Sequence, residues 1–181
     1  MTASRAVRAL GVDLGSKRIG IAVSDRSGTI ASPLTVVARS GDVGRDHQRL
    51  RDLVIEEEAE VVVVGLPLSL DGSLGPAARG AMDEADVLAT VVDVPVETFD
   101  ERLTTVTADR ALMQANMRAP ARRRVVDKVA AAVMLQAWLD RRRTVADRRD
   151  QADRSDEAEQ RDQAARRAHH DERDEPGGSR R

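Results

Sequence analysis

Two apolar runs joined by a short polar turn near the start of the chain constrain its fold more than any other stretch. The first run, at 7–12, ends on the carboxylate of Asp13, and the second follows the Gly-Ser-Lys-Arg turn at 15–18. This pattern predicts a β-hairpin with Asp13 near the mouth of its first strand. Because side chains alternate along a strand, Asp13 should share a face with Gly11 and Ala9, whose small size leaves room for another group. A solvated turn aspartate is the ordinary alternative for this stretch alone.

The following residues predict alternating strands and helices. Strands are predicted at 29–38, 61–64 and 94–99, and helices at 42–58, 77–92, 104–115 and 125–142. Asp42 is the predicted cap of the first helix, and Met82 is predicted on the apolar side of the second. Pro33 indicates an edge strand, whereas the four consecutive valines at 61–64 indicate a central parallel strand. The order predicts an α/β fold, in which a three-strand antiparallel meander is followed by a βαβα unit and a mixed five-stranded sheet carries helices on both faces. Right-handed crossovers would bring the later strand ends beside Asp13.

The composition changes abruptly after the last of these helices. Residues 140–181 contain 12 acidic and 12 basic side chains, and no aliphatic side chain past 144 is larger than Val145. Burial cannot offset the cost of ordering such a segment, although its acid-to-arginine spacing could support a solitary charged helix in part. We therefore predict an N-terminal extension at 1–6, one folded domain over 7–142 and a charged, disordered or weakly helical tail over 143–181.

The composition also excludes several classes of protein. The chain has no cysteine, which excludes disulfide frameworks, zinc-thiolate sites and cysteine nucleophiles. Its 31 acidic and 29 basic residues are nearly balanced, so a surface that binds nucleic acid must be local. No apolar stretch approaches the length of about 20 residues that spans a bilayer, which makes a cytoplasmic protein without membrane contact the default expectation.

Aromatic and histidine side chains offer little for recognition or catalysis. With one phenylalanine, one tryptophan and no tyrosine, the chain cannot read single strands by stacking many bases on aromatic rings, so a nucleic-acid partner would be held by its backbone. His47 lies in a predicted surface helix, and His169 and His170 lie in the tail. None of the three is a predicted metal ligand or general base.

Three acidic side chains lie where the predicted fold would bring them together. Asp13 and Glu101 follow strands, and Asp127 shares a helix face with apolar residues that should pack on the sheet. A carboxylate in a buried stripe is unfavourable unless it is paired, protonated or bound to a cation; the alternative is a first-turn residue that interacts with its own helix dipole. Carboxylates without cysteine favour Mg²⁺ or Mn²⁺ over zinc. Acids that hold such ions are an arrangement that hydrolyses phosphodiesters.

Each of the three acids has basic neighbours in the sequence. The candidate nucleic-acid-binding residues are Lys17, Arg18, Arg102, Arg122, Arg123 and Arg124. Ordinary surface charge accounts for one such neighbour by chance, but three are less easily explained in that way. The pattern suits a site that holds a metal ion and also binds phosphates.

Four motifs in order resemble the signature of the YqgF family, which is also called RuvX or Holliday junction resolvase. The motifs are the run at 11–25, Val64-Gly65-Leu66-Pro67 with Asp71-Gly72-Ser73, Asp100-Glu101-Arg102-Leu103-Thr104-Thr105, and Val126-Asp127-Lys128-Val129-Ala130-Ala131. The resemblance covers about residues 7–142. It implies an RNase H-like fold and a cytoplasmic, metal-dependent nuclease that processes the 5′ end of pre-16S rRNA during ribosome biogenesis. It also implies that Asp13, Glu101 and Asp127 form the catalytic, metal-binding triad.

The sequence leaves several alternatives open. The same site could act on structured RNA in ribosomal precursor particles or resolve branched DNA. A junction-cutting enzyme would favour a homodimer, whereas an RNA-trimming enzyme could act as a monomer. An ATPase of the actin and sugar-kinase type is another alternative, because 13–16 resembles the phosphate-binding hairpin of that superfamily, but those enzymes need a far longer chain. The last alternative is a non-catalytic nucleic-acid or ribosome-binding module, which the presence of all three acids disfavours.

Overall fold

The computed structural model describes residues 6–68, 73–100 and 119–171, with side chains in the last range described at 127–155. The elements in chain order are β1 (Ala9–Leu14), β2 (Arg18–Ser24), β3 (Ala31–Ala38), α1 (Val43–Glu56), β4 (Val61–Leu66), α2 (Pro76–Ala89), β5 (Val96–Asp100) and α3 (Ala119–Asp171). The helix predicted at 104–115 lies outside the described residues. Of the helices that are described, none is both long and apolar enough to cross a membrane.

The five strands form one mixed sheet in the order β3-β2-β1-β4-β5. The first three strands pair antiparallel, while β4 pairs parallel with β1 on one side and with β5 on the other. Every residue of β4 is buried, as its run of valines predicts for a strand covered on both faces. Pro33 lies in the edge strand β3, where a missing N–H is tolerated. The predicted sheet is confirmed.

Two strands begin two residues later than predicted, and each delay has a local cause. Before β3, the Asp25 carboxylate accepts hydrogen bonds from the N–H groups of Thr29 at 2.7 Å and Ile30 at 2.9 Å, which holds these residues in a turn. Before β5, Pro95 has no N–H to donate to a neighbouring strand, and the strand starts at Val96.

Helices α1 and α2 cover one face of the sheet, which is built from large aliphatic side chains. This aliphatic face consists of Leu10, Val12, Ile19, Ile21, Val62 and Val64. The N-cap of α1 is Asp42, as predicted, and its side chain accepts a hydrogen bond from the Arg45 N–H. In α2 the inward stripe is made mostly of alanines, and Met82, which the sequence pattern places on the inner side, is 38% exposed.

Helix α3 covers the other face, which is built largely from small residues. This small-residue face consists of Ala9, Gly11, Asp13, Gly20, Ala22, Val61 and Val63. The helix contributes apolar side chains from every turn between Ala131 and Leu139 to the core on this side. Helices therefore lie on both faces of the sheet, as predicted.

Helix α3 extends beyond the predicted 125–142 at both ends. Pro120 does not interrupt it, because the first turn of a helix needs no intrahelical partner for its N–H groups. At the other end the helix continues to Asp171 through residues without a large apolar side chain, where acids and arginines recur at four-residue spacing, as at Asp150 and Arg154. Residues 6–142 form one compact unit. That the segment 143–181 adds nothing to the stability of this unit stays a prediction.

Candidate active site

Asp13 lies near the end of β1 on the small-residue face, directly opposite Gly20 of β2. Its side chain is half-buried. Burial and, to a smaller extent, the negative charge of Asp127 together raise the pKa of the Asp13 carboxyl to about 6. The two carboxylates are therefore close enough to repel each other. A cation bound between them would relieve this repulsion and favour the ionised form of Asp13.

The close approach of α3 to the sheet depends on Gly20. A Cβ atom at this position would lie 2.2 Å from the carbonyl oxygen of Asp127 and 2.7 Å from its carbonyl carbon, so only glycine fits. Two turns further along the helix, a Cβ atom at Gly11 would lie 2.9 Å from the Cβ atom of Leu135. Because Gly20 is paired with Asp13, the contact at Gly20 places Asp127 beside Asp13.

Two polar side chains connect α3 to the strands at the two edges of the sheet. Gln136 accepts a hydrogen bond from the Ala31 N–H at 2.8 Å and donates to the Thr29 carbonyl oxygen at 3.0 Å, which ties the helix to the start of β3. Trp138 donates from Nε1 to the Glu97 carboxylate in β5 at 3.0 Å. These bonds resist rotation of the helix about its axis, and they help to keep Asp127 turned towards Asp13.

Among the predicted basic residues whose side chains are described, Arg18 is the one that contacts the acidic pair, through Asp127. It stands at the start of β2, and strand alternation puts it on the same face as Gly20. Its Nε donates to Oδ2 of Asp127 at 2.5 Å, and the two side chains are 31% and 26% exposed. Lys17, the other basic residue of the hairpin, is exposed in the turn.

A second ion pair, between Arg39 and Glu84 of α2, holds the turn that precedes Arg18. The guanidinium of Arg39 makes two hydrogen bonds to the Glu84 carboxylate, at 2.5 and 2.9 Å, and its Nε donates to the Gly15 carbonyl oxygen at 3.1 Å. The backbone N–H of Arg39 also donates to the Lys17 carbonyl oxygen at 3.1 Å. The turn is therefore fixed at both of its ends, which limits where the backbone of Arg18 can lie.

His47 belongs to a polar cluster with Arg39 and Glu84. We expected His47 on a surface helix, and this expectation is wrong, because its side chain is buried. Its side chain is 1% exposed, and its Nε2 lies 3.2 Å from the nearer carboxylate oxygen of Glu84. The sequence held a signal, because His47 precedes Leu50 and Val54 at spacings of three and seven, on the buried side of α1. The histidine serves the packing of the cluster, and its distance from the carboxylate suits a hydrogen bond.

Several predicted site residues lie outside the described part of the chain. Glu101 and Arg102 are among them; Glu101 directly follows Asp100, where β5 ends. The arginines at 122–124 belong to α3, but their side chains are not among those described. Within the described ranges no group of three or more acidic, histidine or cysteine side chains is arranged to hold a metal ion. The catalytic roles of Asp13, Glu101 and Asp127 stay predictions.

Comparison with known proteins places the chain among nuclease sequences. The family described as "RuvX: Holliday junction resolvase" matches residues 7–141. A protein from Mycobacterium ulcerans (strain Agy99) is 50% identical over 140 residues, which cover 77% of this chain and 82% of the relative. A protein from Trichormus variabilis is 44% identical over 140 residues, covering 77% and 92%. Both relatives carry the name "Putative pre-16S rRNA nuclease".

Among solved structures, the chain resembles "T. thermophilus RuvC in complex with Holliday junction substrate". The TM-score is 0.50 at 21% sequence identity, covering 73% of this chain and 94% of that chain. This similarity confirms the RNase H-like fold and shows nothing beyond the fold. The family match and the identities to the two relatives together show that the chain belongs to the RuvX family.

Proposed function

We propose that this protein is a divalent-metal-dependent nuclease that hydrolyses phosphodiester bonds in pre-16S rRNA during ribosome biogenesis in the cytoplasm. Membership of the RuvX family and the names of the relatives support this activity. The observation that carries the proposal is the placement of two carboxylates, Asp13 and Asp127, at one end of the sheet by a helix contact that only glycine allows.

The donor chemistry of the site fits a hard divalent cation. Asp13 and Asp127 offer carboxylate oxygens, which Mg²⁺ and Mn²⁺ prefer, and a bound cation would oppose the burial and the repulsion from Asp127 that raise the pKa of Asp13. Glu101, which follows β5 in the sequence, is the third proposed ligand. A divalent cation in this site would activate a water molecule and stabilise the leaving oxygen of the phosphodiester.

The basic side chains around the acids would bind the nucleic-acid backbone. Arg18 contacts Asp127, and Lys17 is exposed in the preceding turn, which Arg39 holds in place. Arg102 and the arginines at 122–124 are proposed to extend this surface from their places in the sequence next to Glu101 and Asp127. Contacts to phosphates position a nucleic acid without reading its bases, which suits a chain with so few aromatic residues.

A cleavage assay with two substrates tests the proposal. Purified protein is incubated with Mg²⁺ and either a labelled pre-16S rRNA fragment containing the 5′ processing site or a four-way DNA junction, beside the variants Asp13→Asn and Asp127→Asn. We expect cleavage of the RNA by the wild-type chain and none by either variant. Cleavage of the junction with the RNA left intact would instead identify a resolvase, and binding of RNA without cleavage would identify a non-catalytic module.

A further inference from the structure

Arg18 is the cation that balances Asp127 in the described structure. The bond runs from Nε of the guanidinium to Oδ2 of the carboxylate at 2.5 Å, and about a third of the arginine side chain is exposed. The same carboxylate is one of the proposed metal ligands. The arginine therefore occupies one of the two carboxylate oxygens that a metal ion could bind.

A guanidinium and a divalent cation cannot both be bound to this carboxylate oxygen at full strength. Two positive groups within a few ångströms repel each other strongly at a half-buried site. Binding of the metal ion must therefore displace Arg18 or must proceed against its charge. The arginine can move, because its side chain is long and partly exposed while its backbone is fixed in β2 and by the turn network around Arg39.

We propose that Arg18 exchanges partners: it binds Asp127 until a divalent cation enters the site, and it then binds a phosphate group of the nucleic acid. The inference rests on the proposed nuclease function. A guanidinium released beside the metal ligands lies where a phosphodiester would bind, and its planar fork matches two phosphate oxygens. The exchange would keep Asp127 compensated without metal and would place the arginine on the substrate only when the metal ion is present.

The exchange predicts opposite effects on two affinities. Without Arg18, the metal ion no longer competes for Asp127 and binds more tightly. Without Arg18, the nucleic acid loses a phosphate contact and binds more weakly. An arginine that served only the structure of the site would weaken both kinds of binding when it was replaced.

The test compares Arg18→Gln with Arg26→Gln. Arg26 follows the opposite end of β2 and makes a more exposed ion pair with Glu58, so its replacement removes the same charge and an ion pair far along the strand. Calorimetric titration with Mn²⁺ should show binding about fivefold tighter for Arg18→Gln, the size expected for loss of a partly exposed ion pair. Fluorescence anisotropy with a labelled pre-16S rRNA fragment in Ca²⁺ should show binding about fivefold weaker. Arg26→Gln should change neither affinity by as much as twofold.

A nuclear magnetic resonance measurement on the wild-type protein tests the exchange without any variant. The Nε–H signal of Arg18 should shift and lose its protection from solvent exchange as Mg²⁺ saturates the site. Arg8 precedes β1, at the other end of the strand from Asp13, and its Nε–H donates to the Glu57 carbonyl oxygen, so its signal should stay in place. An Arg18 signal that Mg²⁺ leaves unchanged would overturn the proposal.

The outcomes separate this inference from the function on which it rests. If the wild-type chain binds Mn²⁺ and cleaves RNA but Arg18→Gln binds Mn²⁺ equally or more weakly, the exchange is wrong and the nuclease function stands. If the wild-type chain neither binds Mn²⁺ nor cleaves RNA, the proposed function fails and the exchange fails with it.

Discussion

The two faces of the sheet are covered by helices in different ways. On the aliphatic face, branched side chains such as Ile19 and Ile21 keep α1 and α2 at the distance that large side chains require. On the small-residue face, Gly11 and Gly20 let the backbone of α3 approach the strands directly. The small side chains of the second face let the helix backbone lie close to the strands. This short distance places Asp127 beside Asp13.

The two faces of the β1–β2 pair differ in what they contribute. One face carries the stabilising core, and the other carries the candidate site. Val12 of β1 points into the aliphatic core. The next residue, Asp13, points to the opposite face, where Asp127 lies. Burying large aliphatic side chains stabilises the fold. Placing two carboxylates together destabilises it until a cation binds. Mutations on the two faces should therefore have different effects on stability and on metal binding.

Gly20→Ala should have the largest effect, because the new methyl group would meet the helix backbone at Asp127, which cannot move aside as a side chain can. We expect a loss of about 3 kcal/mol or more in the free energy of unfolding, together with loss of Mn²⁺ binding. Urea denaturation and calorimetry measure the two effects. The control is Gly80→Ala in α2, where nothing lies within 4 Å of the new methyl group and the helix should gain stability. Equal effects of the two substitutions would contradict the close-approach argument.

Leu50→Ala should affect stability alone. Leu50 is fully buried in the core of the aliphatic face, and removing its side chain should lower the free energy of unfolding by about 3 kcal/mol. The variant should still bind Mn²⁺ with wild-type affinity at a temperature at which it is folded. A large change in Mn²⁺ affinity would show that the two faces are coupled and do not act separately.

Asp13→Asn should stabilise the metal-free protein at neutral pH. Because burial and Asp127 raise the pKa of Asp13 to about 6 in the folded state, the stability that this carboxyl contributes is full below its unfolded pKa of 3.8 and is lost as the pH rises through about 6. The asparagine has no such loss, so the variant should be more stable by about 1 to 2 kcal/mol at pH 7.5, with the difference vanishing near pH 4. Urea denaturation in a chelating buffer at both pH values measures this.

Asp25→Asn is the matched control for that experiment. Hydrogen bonds from Ser27, Ile30 and Thr29 lower the pKa of Asp25 to about 2, so this carboxylate contributes stability above pH 3.8 that is lost as the pH falls through 2. Its replacement should destabilise the protein at pH 7.5, opposite in sign to the effect of Asp13→Asn. If both variants were destabilised, Asp13 would have a structural role.

Deletion of residues 144–181 should have the smallest effect. The removed part has no large apolar side chain, so the melting temperature should change by less than about 2 °C. Differential scanning calorimetry of the shortened chain measures this. A fall of many degrees would show that the segment docks on the folded domain and stabilises it through a contact other than those on the two faces of the sheet.

The parts of the fold that follow from periodicity could be predicted from the sequence. The hairpin, the buried strand β4 and the helix cap at Asp42 each depend on residues close together in the chain, and the structure confirms them. The start of β3 could not be predicted in this way, because it depends on which backbone groups the Asp25 side chain accepts. Helix α3 was predicted too short, since its charged part lacks the apolar spacing that marks a packed helix.

For the site, the sequence predicted which residue types would gather but not how they pair. Small residues beside Asp13 and a carboxylate on an apolar helix stripe pointed to Asp13 and Asp127. The ion pair of Arg18 with Asp127 joins residues 109 positions apart, and the contact of Gly20 with the helix backbone is equally remote. The partly buried cluster of Arg39, Glu84 and His47 was missed because polar side chains are ordinarily assigned to solvent.

The most direct test of the account is a double-mutant cycle on metal binding with Asp13→Asn, Asp127→Asn and the double variant. If the small-residue face brings the two acids together to hold one cation, each single substitution should weaken Mn²⁺ binding nearly as much as both together, by more than about tenfold. Independent, additive losses, or a single substitution that leaves Mn²⁺ affinity unchanged, would contradict the claim that Asp13 and Asp127 form one site.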